Sequence, residues 1–401
     1  MARQSATEPA TKPLRWNTFR NVLQKLHLWV GLALAIPFIL IGVTGSIIIA
    51  LTYQPALSEP AATAQGEIAP IARILAAAQA SVPEGYEATT VVLPPSEGRP
   101  AAVQVGLPSG QRPADRNLQG LIVYVDPVSA EVLGTTERRR AGPFKRTVTA
   151  MHIALMAPGH YGLQTVGFMG VFMTLFGITG LILWWPKRGQ WRQGFVVKRG
   201  ATGWRLNRDL HSVFGIWTLL VFLMLSISGV YLAFPVTFQS VLETVLPMEN
   251  TLTPVTVPEA TLATISNPNA VTPDEAIILA LAAVPRSRAL SVQVPPIPDG
   301  IHMVTLAPEP FADDAPQISV FVGPGTDISD VVDPRGYALG KRILSWMRVM
   351  HYGQGFGFVW SMFILLCGFL PVLFVITGVR MWWLKRAQRR VLPVGAVTPA
   401  E

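Results

Sequence analysis

The sequence predicts an α-helical membrane protein with four transmembrane helices in a tandem pseudo-twofold repeat, plus two external α+β domains. Three observations carry this expectation. Four stretches, 26–58, 147–186, 210–242 and 349–379, contain no Asp, Glu, Lys or Arg, and each exceeds the roughly 20 residues a helix needs to cross a hydrocarbon core about 30 Å thick. Segments 1–25, 187–209 and 384–401 hold 16 of the 32 Lys and Arg but only 3 of the 24 Asp and Glu. That excess marks them as cytoplasmic and puts both long loops outside. Finally, Leu26-His27-Leu28-Trp29-Val30-Gly31 leads into Val43-Thr44-Gly45-Ser46 as Leu210-His211-Ser212-Val213-Phe214-Gly215 leads into Ile227-Ser228-Gly229-Val230, with 18 residues from histidine to glycine in both.

The totals agree. Of 401 residues, 14% are charged and 50% hydrophobic, with a mean hydropathy of +0.40, too apolar for an ordinary soluble protein and too mixed for a wholly buried one. The net charge of +8 is mostly topology signal, with some attraction to anionic lipid headgroups. No folded basic domain supports nucleic-acid binding. The single cysteine, Cys367, lies within the fourth span, which excludes an intramolecular disulfide, a four-cysteine zinc site and a cysteine-ligated iron–sulfur cluster.

In order, 1–25 is a cytoplasmic segment, polar and disordered to residue 15 and then an interfacial lead-in through Arg15, Trp16, Arg20 and Lys25. The first span, 26–52, is too long for a cleaved signal peptide and bends at Pro37. The first external domain, 53–146, reads as a helix from Ile68 to Ala80, then strands at Tyr86–Leu93, Ala101–Val105, Leu121–Val125 and Glu131–Leu133. A helix laid on a small antiparallel sheet fits that order. The second span, 147–186, starts near Met151-His152 after the Arg138–Arg146 basic cluster, with an interruption at Ala157-Pro158-Gly159. That cluster reads equally as a solvated domain edge or as a partner for anionic groups.

A basic cytoplasmic loop, 187–209, leads to the third span, 210–234. The second external domain, 235–345, repeats the first, with a helix started by Thr272-Pro273-Asp274-Glu275 and strands at Leu290–Val294, His302–Leu306, Ile318–Val322 and Val331–Val332. The fourth span, 346–384, precedes a cytoplasmic tail, 385–401. Ile178-Thr179-Gly180 precedes Trp184-Trp185 by the interval at which Ile376-Thr377-Gly378 precedes Trp382-Trp383. With an even number of spans per unit, both copies share one orientation, related by an axis along the membrane normal.

Five of the six histidines lie in the uncharged runs. His27 and His211 match in register near the cytoplasmic face. His152 and His351 each follow a methionine, precede the tandem tryptophans by 32 and 31 residues, and belong near the external face. Two imidazoles on separate helices facing across a gap suit the axial positions of a haem iron, and two such pairs suit two haems b spanning the membrane as an electron path. Propionates need cations at the surface: Arg20, Lys25, Arg205 and Arg208 inside, and Lys145, Arg146, Lys341, Arg342 and Arg348 outside. The Thr-Gly or Ser-Gly step in each span suits either a flat ring or a neighbouring helix. His160 is an alternative ligand on the second span, in His160-Tyr161-Gly162, which echoes His351-Tyr352-Gly353. His302 is expected to be an exposed strand residue, and the tandem tryptophans an aromatic belt. For any single histidine, an interfacial hydrogen-bonding role competes with ligation; the register-matched pairs favour ligation.

On Leu26–Gly31, Leu210-His211, the Met-His starts of the second and fourth spans, Gly180–Trp185 and the strand-turn-strand Val123–Gly134, the chain resembles the PepSY-associated transmembrane helix family, over roughly residues 20–388. The second such turn, Val332–Gly340, is shorter. The resemblance implies PepSY-like external domains on a haem-binding unit in the bacterial inner membrane. It also implies reduction of a ferric siderophore or other ferric chelate to release Fe(II). Cytoplasmic segments of about 25 residues are too small for a nucleotide-binding domain, so the electron donor is expected to be a quinol or a separate cytoplasmic reductase. The competing expectation is a non-enzymatic PepSY membrane protein that binds a peptide, a peptidase or an envelope partner. A transporter is a weaker third, since no carboxylate or lysine lies within the four runs.

Overall fold

A computed structural model describes residues 14–53, 59–108, 111, 113, 115–249, 257–263, 265, 271–297 and 300–391. In chain order its elements are helices α1 (Leu14–Ala33), α2 (Ala35–Tyr53) and α3 (Ile71–Ala80), and strands β1 (Glu87–Val92), β2 (Ala101–Gly106), β3 (Leu118–Val125) and β4 (Val132–Arg139). Helices α4 (Pro143–Ala154), α5 (Gly159–Trp184), α6 (Trp191–Gly194), α7 (Gly203–Ala233), α8 (Pro235–Glu243), α9 (Glu259–Leu262) and α10 (Pro273–Ala283) come next. Strands β5 (Ser287–Gln293), β6 (His302–Pro308), β7 (Ile318–Val322) and β8 (Ile328–Val332) lead to α11 (Leu339–His351), α12 (Phe358–Cys367) and α13 (Leu370–Val391). The chain divides into two compact units, one of residues 1–46, 150–235 and 366–401, the other of 47–149 and 236–365. Among the described residues four helical stretches are long and apolar enough to cross a membrane: Ala35–Thr52, Gly159–Trp184, Gly203–Ala233 and Phe358–Gln388.

The helices begin earlier and break more often than the uncharged runs suggest. Helix α1 starts at Leu14, so the basic and aromatic lead-in is itself helical. It is offset from α2 at Leu34, because Pro37 has no N–H to give the carbonyl one turn back. Bonds from Leu34 N to Val30 O (2.9 Å) and from Phe38 N to Leu34 O (3.1 Å) carry the helical path across. The interruption expected at Ala157-Pro158-Gly159 separates α4 from α5, with Leu155 and Met156 at φ of 47° and 62°. The fourth span is interrupted too. Gly353, Gly355 and Gly357 take φ of 71°, 98° and 76° between α11 and α12, and a side chain at Gly355 would meet the Trp346 ring. The fourth span then runs on as a helix to Val391, into the expected tail. Of the N-terminal segment expected to be disordered, residues 1–13 lie outside the described residues, as does 392–401 of the tail.

In the helical unit, α5 packs on α7 through small residues. A Cβ at Gly167 would overlap Ala233 and Phe234, one at Gly170 would press on Val230, and one at Gly177 on Leu223. Close approach of this kind drives helix association where lipid is as apolar as leucine. Gly42 and Ser46 of α2 meet Gly368 in the same way.

In the second unit, four strands from each long loop join into one eight-stranded antiparallel sheet, ordered β4-β3-β2-β1-β5-β6-β7-β8. Two small sheets, one per loop, would be the expectation from each segment read alone. The join is β1 against β5, with Val91 opposite Val292. Alternation puts Val91, Val103, Val123, Val292, Val304 and Val320 on one face, all fully buried with Ile74 of α3 and Leu279 of α10 in a single core. Both helices are tied in by polar contacts. Thr272 and Glu275 form a capping box at the start of α10, while Asp274 accepts the Ile71 and Ala72 N–H groups at the start of α3 (2.8 and 3.4 Å).

His302 departs from expectation. It is 5% exposed, on the same face of β6 as Val304 and Leu306, and its Nε2 donates to Val271 O at 2.9 Å. Burial lowers its pKa from the ordinary histidine value, only partly offset by that bond. The basic cluster is divided between two elements: β4 runs to Arg139 along the sheet edge, where Arg139 pairs with Asp115 at 2.7 Å, and Lys145 and Arg146 lie at the start of α4. Charged side chains on an edge strand discourage edge-to-edge pairing with other chains.

Candidate functional site

The helical unit brings His27 and His211 together, with ring centroids 6.4 Å apart and planes 73° to each other. Each ring is held by a different helix in the same way. His27 of α1 has Nδ1 2.9 Å from Thr179 Oγ1 of α5, and His211 of α7 has Nδ1 2.9 Å from Thr377 Oγ1 of α13. Phe176, three residues before Thr179, packs on His27 at 4.6 Å, and Phe374, three before Thr377, packs on His211 at 5.2 Å. Each ring lies beside the glycine after its threonine: a Cβ at Gly180 would stand 3.9 Å from His27 Cε1, and one at Gly378 3.9 Å from His211 Cε1, ordinary contact in both cases. The hydroxyls spend their own protons on their own helices, Thr179 donating to Phe176 O (3.3 Å) and Thr377 to Leu373 O (2.7 Å).

Both histidines line a cavity of about 1320 Å³ among α1, α5, α7 and α13, larger than the roughly 300–1,000 Å³ of common small-molecule sites. Cations gather in its lining. Arg20, Lys25 and Arg208 are among them, joined by Lys385 and Arg386 of α13. Arg20 also donates to Leu183 O at 2.7 Å, and Arg386 lies 5.7 Å from the Trp382 ring centre. Arg205, grouped with these from sequence, is instead held by the buried carboxylate of Asp209 at 2.9 Å and is not among the lining residues.

His152 packs elsewhere in the same unit. Its Nδ1 donates to Ile41 O at 2.9 Å and lies 3.5 Å from Thr44 Oγ1. A Cβ at Gly45 would come within 2.9 Å of its Cε1. The Thr-Gly steps at Thr44-Gly45, Thr179-Gly180 and Thr377-Gly378 thus each receive a histidine. His160 is exposed and stacks on Tyr161 at 4.0 Å. His351, half-buried at the end of α11, belongs to the sheet-bearing unit. Of the cations grouped with it from sequence, Lys145, Arg146, Arg342 and Arg348 are exposed, while Lys341 sits over the Tyr337 ring at 4.6 Å.

The PepSY-associated TM region matches residues 24–385, nearly the whole chain. The chain belongs to that family. No curated protein matches it. In this PepSY-associated TM protein, two imidazoles opposed across a cavity can bind one metal atom between them, and the cations can hold acidic groups of whatever carries it. Sequence reasoning found both histidines but missed Thr179, Thr377, Phe176 and Phe374 as ring supports, and Lys385 and Arg386 as lining cations. The Phe-x-x-Thr-Gly spacing, repeated at 176–180 and 374–378, carried the signal.

Proposed function

We propose that the chain is a haem b-containing inner-membrane oxidoreductase that moves electrons across the membrane to a periplasmic ferric chelate, a Fe(III)–siderophore, and releases iron as Fe(II). The observation that carries this reading is the His27–His211 spacing. The two ring centroids are 6.4 Å apart on separate helices, near enough that one nitrogen of each ring could bind a single iron between them. The cations that line the cavity match propionates.

Haem supplies one-electron carriage when bound there. The protein's own part would be to hold and orient it: His27 and His211 would bind the iron, Arg20, Lys25, Arg208, Lys385 and Arg386 would pair with the carboxylates, and the apolar helices would keep water away. The recurring His–Thr contacts and a strand order that reads alike outward from its centre support a pseudo-twofold repeat of two PepSY-like domains, 53–146 and 235–345. Sequence register alone carries His152 and His351 as candidate ligands of a second haem. The distribution of basic residues puts both termini in the cytoplasm, where a quinol or a cytoplasmic reductase donates electrons.

The test is the pyridine haemochrome of the purified full chain, with vesicle-reconstituted protein assayed for Fe(II) release from a ferric hydroxamate. Two haems per chain are expected, one of them lost in His27→Ala. A colourless chain overturns the reading in favour of a non-enzymatic PepSY protein that binds a peptide or an envelope partner.

A further inference from the structure

We infer that Thr179 and Thr377 are positioning residues that fix the tautomer of His27 and His211, presenting Nε2 of each ring as the lone-pair atom. This rests on the reading of that pair as ligands, and it assigns the threonines a role that helix packing alone does not require.

A neutral imidazole carries one N–H and one lone pair, and the partner of one nitrogen decides which is which. Thr179 Oγ1 and Thr377 Oγ1 each lie 2.9 Å from a histidine Nδ1. A hydroxyl has a single proton, and both threonines direct theirs to backbone carbonyls of their own helices, Phe176 O in one case, Leu373 O and Phe374 O in the other. Each oxygen therefore accepts from Nδ1–H, and Nε2 is left unprotonated. The same assignment follows at His152, where the Nδ1 partner at 2.9 Å is the Ile41 carbonyl, which can only accept. A hydrogen bond to the far nitrogen of a metal-bound imidazole raises its basicity and locks its rotation. A hydroxyl that is already donating accepts as a neutral group, so it tunes the ring without drawing off its proton as a carboxylate would.

The test has two independent readouts. On haem-free full chain labelled with [15N]histidine in detergent, NMR should show His27 and His211 as Nδ1–H tautomers, shifting toward mixed tautomers in Thr179→Val and Thr377→Val. Nε2–H tautomers in the unsubstituted chain overturn the inference even if the protein binds haem. On the haem-loaded chain, each valine variant should move the haem midpoint potential to more positive values and weaken haem retention about 10- to 100-fold, the usual cost of losing such a support. Thr179→Ser and Thr377→Ser, which keep the oxygen, should restore both. An unchanged potential in the valine variants, or failure of serine to restore it, rejects a tuning role. Absence of haem from every form would count against the parent reading, leaving the NMR result to decide the tautomer.

Discussion

His27 and His211 lie on helices 184 positions apart in sequence, yet their ring centroids are 6.4 Å apart, each ring anchored by a threonine from a further helix. If the two hold one haem iron, as proposed, they act as a unit and their removals should not add. His27→Ala, His211→Ala and the double variant are each expected to lose the same haem absorbance, whereas His160→Ala keeps it. Optical difference spectra of the purified variants check this, and independent partial losses would reject a shared iron.

Glycines beside the rings differ in how much room they leave. A methyl at Gly180 or Gly378 meets its histidine at 3.9 Å, ordinary van der Waals contact, while one at Gly45 meets His152 Cε1 at 2.9 Å, too close to stand. Gly180→Ala and Gly378→Ala should therefore be tolerated. Gly45→Ala should displace the His152 ring and destabilise the fold by about 1–3 kcal/mol, the usual cost of overpacking. Thermal unfolding of the three variants, followed by circular dichroism, gives the ranking.

These contacts show where sequence reading stops. The four spans were legible because membrane length and absence of charge are local properties, and the histidine pair because its register repeats. Which helix lies opposite which is not local, so the Thr-Gly steps suit a flat ring or a neighbouring helix equally, and their histidine partners are not legible. The seam between β1 and β5 joins strands about 200 residues apart, and neither segment alone announces it. His302 was a different kind of miss. Its parity with Val304 and Leu306 places it on the inward face, and the Val271 carbonyl that lets a polar ring sit there comes from 31 residues away.

Asp126 closes the turn after β3 and is 2% exposed. Its carboxylate accepts backbone N–H groups from Thr63 and Ala64 at 3.1 Å and from Val128 and Ser129 at 3.0 Å. Burial alone would raise its pKa, but the four donors together hold it down at about 2. Its stabilising effect should be complete above the ordinary carboxylate pKa of about 3.9 and be lost as pH falls through about 2. Asp126→Ala leaves those donors without their acceptor, at about 1–3 kcal/mol. Chemical denaturation at pH 7 measures that loss.

Asp274 follows the N-cap of α10 by two positions but satisfies the start of α3, accepting Ile71 N–H at 2.8 Å. A helix start needs such acceptors, and α3 has only Pro70 at its own N-cap, with no side-chain bond. Asp274→Ala should cost about 1 kcal/mol, the usual value of a lost cap. Asp274→Asn, which keeps an acceptor oxygen, should cost less. Equal losses in denaturation midpoint would point to charge rather than capping.

His302 should make the fold sensitive to mild acid. Its Nε2–H is given to Val271 O, and Nδ1 is buried with no partner among the described residues. Burial depresses the folded pKa below the ordinary value, so between the two pKa values the unfolded chain binds the extra proton and stability rises with pH. The neutral ring's contribution is therefore full above about pH 6.5 and declines as pH falls below it toward the folded pKa. His302→Phe removes the titrating group but leaves the Val271 carbonyl without its donor, at about 1–3 kcal/mol. The variant should be less stable than the parent at pH 8, with a flatter melting temperature between pH 8 and 5. Parallel pH profiles of the two proteins would exclude His302 as the source of the slope.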